Sequence, residues 1–168
     1  MGTISAEIVT RTWQAMSQFN VDNAVDFTNE MAEEQPVILA YLVALDDMPF
    51  NQHEKELIHY LGIVVWQIMK QSPKRLLKVT RKKLNRAERA NLESLDFLAS
   101  DTEADFVSAT QFMLERYEEP EVLGYLIEAL MDEEEYEASG DVPIRDEYRG
   151  LALIHLKIAL DAFLDSLR

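Results

Sequence analysis

Apolar residues recur at three- and four-residue intervals along most of this chain, the spacing of one face of an α-helix. In residues 52–71, Leu57, Leu61, Val64, Val65 and Ile68 fall on one side, and Lys55, Glu56, His59, Gln67 and Lys70 on the other, with Ile63 and Trp66 inside that outer stripe. The same period, cut at capping residues and prolines, predicts helices over 5–19, 22–34, 36–47, 52–71, 73–84, 86–99, 103–118, 120–137 and 145–167. Asp22, Asn51, Ser72 before Pro73, Asn85 and Thr102 have the chemistry of helix starts, and Asn51 with Glu54 and Asn85 with Glu88 have capping-box spacing. Residues 35 and 119 each precede a proline, which disfavours helical geometry there and sets a break.

One pattern is written twice. QPVILAYLV at 35–43 returns as EPEVLGYLI at 119–127, with Pro36 and Pro120 separated by 84 residues. With about 100° of rotation per residue, Glu121, Glu128 and Asp132 share a stripe beside Tyr125, giving an amphipathic helix with an acidic wet face. The matching positions in the earlier copy are Val37, Ala44 and Met48 beside Tyr41, so its wet face is apolar. A helix apolar all round is covered on every side, either as the central core helix or by a second molecule. The second option makes Val37, Tyr41, Ala44 and Met48 an interface, joined by Ile63 and by Trp66 as an anchor. The basic segment next in sequence is the alternative cover for Trp66.

The expected architecture is all-α, a helical bundle or helical-hairpin array of eight to nine helices in one domain over 1–168. Two pseudo-repeated halves, 1–71 and 86–168, would be joined by a basic helix at 73–84. Five glycines, five prolines and abundant Leu, Ala and Glu agree with that class. The absence of cysteine excludes thiol catalysis, thiolate metal sites and disulfides. The opening MGTISAEIVTRTWQ lacks the basic start and apolar run of a signal peptide, and PVILAYLVAL at 36–45 is about half the ~20 residues of a membrane-spanning helix, so the expectation is a cytoplasmic protein with no span.

Charge changes this picture in one place. The chain carries −15, but residues 70–89 hold nine of the sixteen basic side chains and one acid, a local +8 that leaves −23 on the rest. Read as a helix, 73–84 puts Leu76, Leu77, Thr80 and Leu84 on one side and Lys74, Arg75, Lys78, Arg81 and Lys82 on the other. Such a patch suits nucleic-acid phosphates, an anionic lipid surface or an acidic protein, or it packs against the protein's own acidic surface. No aromatic residue is available in it for base stacking, and the overall charge repels nucleic acid.

Candidate chemistry is sparse. Glu56 and His59 have the Glu-x-x-His spacing of metal ligands in di-iron helical bundles, with Asp26 and Glu30 as further carboxylates. The second such motif is missing, since Ala152 stands three residues before His155, and His59 reads more simply as a solvated surface residue. His155 reads as a hydrogen-bonded core histidine. The acidic run MDEEEYEASGD lacks the spacing of a calcium-binding hand loop and reads as a solvated helix end and loop. Phosphate-binding loops and nucleophile elbows are absent. The expectation is therefore a non-enzymatic, acidic interaction module, an adaptor, regulator or chaperone-like binder without cofactor, that forms homodimers and binds a protein partner. The alternatives are a metal-dependent bundle enzyme using Glu56 and His59, and anionic polymer or lipid binding through 73–89.

Overall fold

In the computed structural model, residues 2–19, 21–93, 103–131 and 144–168 are described. They form eight α-helices: α1 (Ala6–Ser17), α2 (Val21–Glu34), α3 (Pro36–Val43), α4 (Gln52–Met69), α5 (Arg81–Ala90), α6 (Glu103–Arg116), α7 (Pro120–Met131) and α8 (Arg149–Leu164), the last entered through a 3-10 turn at Asp146–Tyr148. The all-helical expectation is met. Among the described residues, no helix is long and apolar enough to cross a membrane.

Local chemistry accounts for the starts. Ser5 caps α1 through Ile8 N, and Asn51 with Glu54 completes the capping box foreseen for α4. Pro36 and Pro120 occupy first helical positions, where a missing N–H costs nothing.

α4 and α8 lie against each other at the centre and carry the most thoroughly buried faces. α1 packs on α4 and α7, while α5 packs on α8 and α3; α2 lies over α3 and α6 over α7. One continuous apolar cluster runs through all of them. Gly62 in α4 lets α3 approach closely, because a Cβ there would stand 2.5 Å from Leu42 Cδ1.

The basic helix expected at 73–84 does not form, and helix begins only at Arg81, with Thr80 as its cap. Residues 73–80 instead run as a strap whose backbone is recruited elsewhere. Arg75 N–H donates to Arg168 C=O and Arg168 N–H to Arg75 C=O, both at 2.9 Å, and Leu77 N–H donates to Ser166 C=O at 2.9 Å. Gln35 continues this pairing further along, donating to Leu77 C=O at 3.0 Å and accepting from Val79 N–H at 2.9 Å. The β-branched pair Val79–Thr80 already weakens a helix here, and these long-range partners decide against it. Asn85 is consequently inside α5 and caps nothing.

Other boundaries shift less. The helix drawn over 36–47 ends at Val43, where Ala44 (φ −82°, ψ 65°) turns the chain so that Leu45 is buried. The second half of the helix drawn over 86–99, the Thr102 cap, Asp132, the acidic run and most of the 137–144 loop lie outside the described residues.

Candidate functional site

α3 presents three kinds of side chain. Ile38 and Leu42 are fully buried, while Val37, Leu39 and Tyr41 are half-buried against the core. Pro36, Ala40, Val43 and Ala44 are exposed, at the spacing of one helical stripe. From Pro36 to Leu45 the only polar side-chain atom is the Tyr41 hydroxyl, which donates to the His155 backbone carbonyl at 2.9 Å. The outward face is therefore apolar. Val43 is 55% exposed, whereas Ile127, its counterpart in the second copy, is 8% exposed. Glu121 and Glu128 of α7 are exposed as expected.

The interface residues expected from sequence are only partly at the surface. Ala44 is exposed and Val37, Tyr41 and Met48 are half-buried, but Ile63 and Trp66 are buried, at 4% and 1% exposure. They belong to the core because α4 is central and is contacted from several sides, by α1, α2, α3, α7 and α8. The polar end of the α4 stripe crosses the Trp66 ring, with Lys70 Nζ 4.5 Å from its centroid and 3.4–3.5 Å from Glu34 and Glu30.

Next to the start of α3 lies the strap. Lys74, Arg75, Lys78, Arg81 and Lys82 are all exposed, and among the described residues none makes an ion pair. Leu77 is 37% exposed in their midst. Contact with the protein's own acids, the expectation that extended to those of a dimer mate, is seen among the described residues only at other cations of the stretch. Lys83 and Arg86 do turn inward, to the backbone carbonyl and carboxylate of Asp165 at 2.7 and 3.0 Å.

Buried polar groups serve to join helices. Glu54, 1% exposed, accepts from Arg145 Nη2 at 2.7 Å, Arg145 N at 2.9 Å and Asn51 N at 2.8 Å. Burial alone would raise its carboxyl; the Arg145 and amide hydrogen bonds outweigh that and hold it below the ordinary value. Asp161 accepts from the Tyr117 hydroxyl, from Lys157 Nζ at 2.9 Å and from Asn91 Nδ2 at 2.8 Å, tying α5 and α6 to α8. Burial, and then the neighbouring Asp161, push Tyr117 up. The groups of this cluster hydrogen-bond one another across helix ends, so that the cluster acts as a clasp between them.

The metal alternative gains no second ligand. Glu56 is exposed and accepts from Gln52 at 3.1 Å. His59 is not a solvated residue: α2 packs over it, Nε2 lies 3.2 Å from the Thr28 hydroxyl, Nδ1 is buried without a partner, and burial lowers its pKa. Among the described residues no three acidic or histidine side chains group as a metal site.

Sequence reasoning missed Pro36, Ala40 and Val43 as the exposed stripe and Leu77 as the apolar centre of the cationic strap. Val79–Thr80 was the available signal for the strap. Comparison with protein-family models, curated proteins and solved structures finds no match to this chain.

Proposed function

We propose that the protein is a non-enzymatic interaction module of the cytoplasm that self-associates through the outward face of α3. The observation that carries this reading is the bare Val43, 55% exposed on a helix with no charged residue, where the sister helix has a covered Ile127. A second copy laid across Pro36, Ala40, Val43 and Ala44 supplies the cover that the chain itself supplies at Ile127. Copies that each carry −15 repel at long range, so contact rests on apolar burial and strengthens as salt screens the charge.

The same reading treats the halves as a duplicated module. Its support is a correspondence that the sequence alone did not offer. Gln35 and Glu119 are both 3% exposed, both precede a proline-started helix, and both clamp a non-helical segment leading into a helix outside their own half. Gln35 accepts from Val79 N–H, just before Thr80 and α5; Glu119 accepts from Ile4 N–H at 3.1 Å, just before Ser5 and α1. The helix contacts exchange in the same manner, α1 resting on α4 and α7 as α5 rests on α8 and α3.

Light scattering coupled to size-exclusion chromatography tests the association. The expected result is a dimer at tens of micromolar that Val43→Asp converts to a monomer with unchanged helix content. A wild-type monomer at high concentration, or a dimer indifferent to Val43→Asp, overturns it.

A further inference from the structure

The strap has a feature that the α3 reading does not use. In an extended segment, successive residues point their backbone groups to opposite sides. Arg75, Leu77 and Val79 turn theirs toward residues 166–168 and Gln35. Leu76 and Lys78 turn theirs the other way, and neither N–H nor C=O of either residue has a hydrogen-bond partner among the described residues. The segment carries one isolated antiparallel bridge, Leu76 to Leu167, and the backbone groups of Leu76 and Lys78 beside it are unpaired among the described residues.

Lys74, Arg75 and Lys78 on the strap and Arg81 and Lys82 in the first turn of α5 are exposed and make no ion pair among the described residues, and Leu77 is exposed on the same segment. We propose that the open edge at Leu76 and Lys78 receives an extended acidic segment of a partner protein, added as a further strand, with its carboxylates on the surrounding cations and an apolar side chain on Leu77. Main-chain hydrogen bonds supply affinity in this mode and the side chains supply selection. Lysines on a bare edge also repel the identical edge of a second copy, so the strap does not pair with itself.

The choice of a protein segment over other polyanions follows from the surroundings. The patch is short and lacks aromatics, and the remaining −23 opposes a long nucleic acid running past it. A single exposed leucine gives little insertion into a lipid surface. A short acidic peptide covers only the cations and the edge, and avoids both costs.

The test is fluorescence anisotropy on the full chain with a labelled heptapeptide, Glu-Val-Asp-Leu-Glu-Val-Asp. Parallel arms use the same peptide N-methylated at alternate residues, oligothymidylate, and vesicles rich in phosphatidylserine. The expected result is binding to the plain peptide that weakens at least about tenfold from low to moderate salt. The variant K78E/R81E, both sites being exposed, loses at least about tenfold in affinity with its thermal unfolding unchanged, and backbone methylation has a comparable effect. Val43→Asp leaves peptide binding as it was, which separates this inference from self-association. No peptide binding at low salt, tighter binding of oligothymidylate or vesicles, indifference to charge reversal or to methylation, or loss of self-association in K78E/R81E each overturns it.

Discussion

Tyr41 of α3 and His155 of α8 lie face to face, ring centroids 4.1 Å apart and planes inclined by 13°, with the Tyr41 hydroxyl donating to the His155 backbone carbonyl. The contact ties the surface helix to the central one. Its imidazole Nε2 is buried without a partner, and burial lowers the His155 pKa to about 4.

This pair sets an acid sensitivity. An unfolded chain protonates His155 near its ordinary 6.5, while the fold keeps it neutral down to about 4, so the unfolded state binds more protons in that window. Stability is full above pH 6.5, falls as pH drops toward 4, and by then has lost on the order of 3 kcal/mol. Urea titrations from pH 7 to 4 should show the decline. His155→Leu should flatten most of it, the remainder coming from His59, whose pKa is also lowered.

Gly62→Ala should destabilise the protein although alanine favours helix. The new methyl meets Leu42 Cδ1 at 2.5 Å and Cδ2 at 2.8 Å, and Leu42 is fully buried, so any shift presses on packed neighbours. Overpacking costs about 1–3 kcal/mol, against about 1 kcal/mol gained in propensity. A lower midpoint in urea is the expected outcome, with Gly62→Ala costing less in a Leu42→Ala background than in the wild type.

Glu119 and Gln35 should respond to opposite isosteric swaps. The Glu119 carboxylate accepts from Thr3 N, Thr3 Oγ1 and Ile4 N, so Glu119→Gln turns a donor toward donors. Gln35→Glu sets an acceptor against Leu77 C=O. Each should cost on the order of 1–2 kcal/mol. Hydrogen exchange should quicken at Ile4 in the first variant and at Val79 in the second, with the other segment unchanged.

Glu54→Ala should lower the melting temperature by roughly 2–4 °C or more, since losing the cap contact alone is worth about 1 kcal/mol. It also frees Arg145 from its carboxylate partner. In the wild type, the lowered Glu54 pKa adds stability above its ordinary 4.5 that is lost as pH falls through the folded value. A wild-type acid limb below pH 4.5 that Glu54→Ala leaves unchanged would contradict this.

Most of the helices were legible because their evidence is local: apolar spacing, the Asn51–Glu54 box and the two prolines. The candidate surfaces were less so. The apolar ring of residues 36–45 could be read directly, but not which side of it the chain covers, and the face that stays bare carries Val43 rather than Tyr41. His59 was misjudged because its shelter comes from Thr28, across an interhelical contact that no spacing within α4 encodes.

The sequence by itself determined that the chain is helical, where most helices begin, that its cations are concentrated in one stretch, and that 36–45 has no charged face, because each is a property of neighbouring residues. Tertiary structure alone decided that 73–80 is a strap with an open edge and that Trp66 is core. Those outcomes depend on which partner claims a backbone group or an aromatic face. For the strap the partners are Gln35 and residues 166–168, which are remote in sequence and meet it only once the helices have packed.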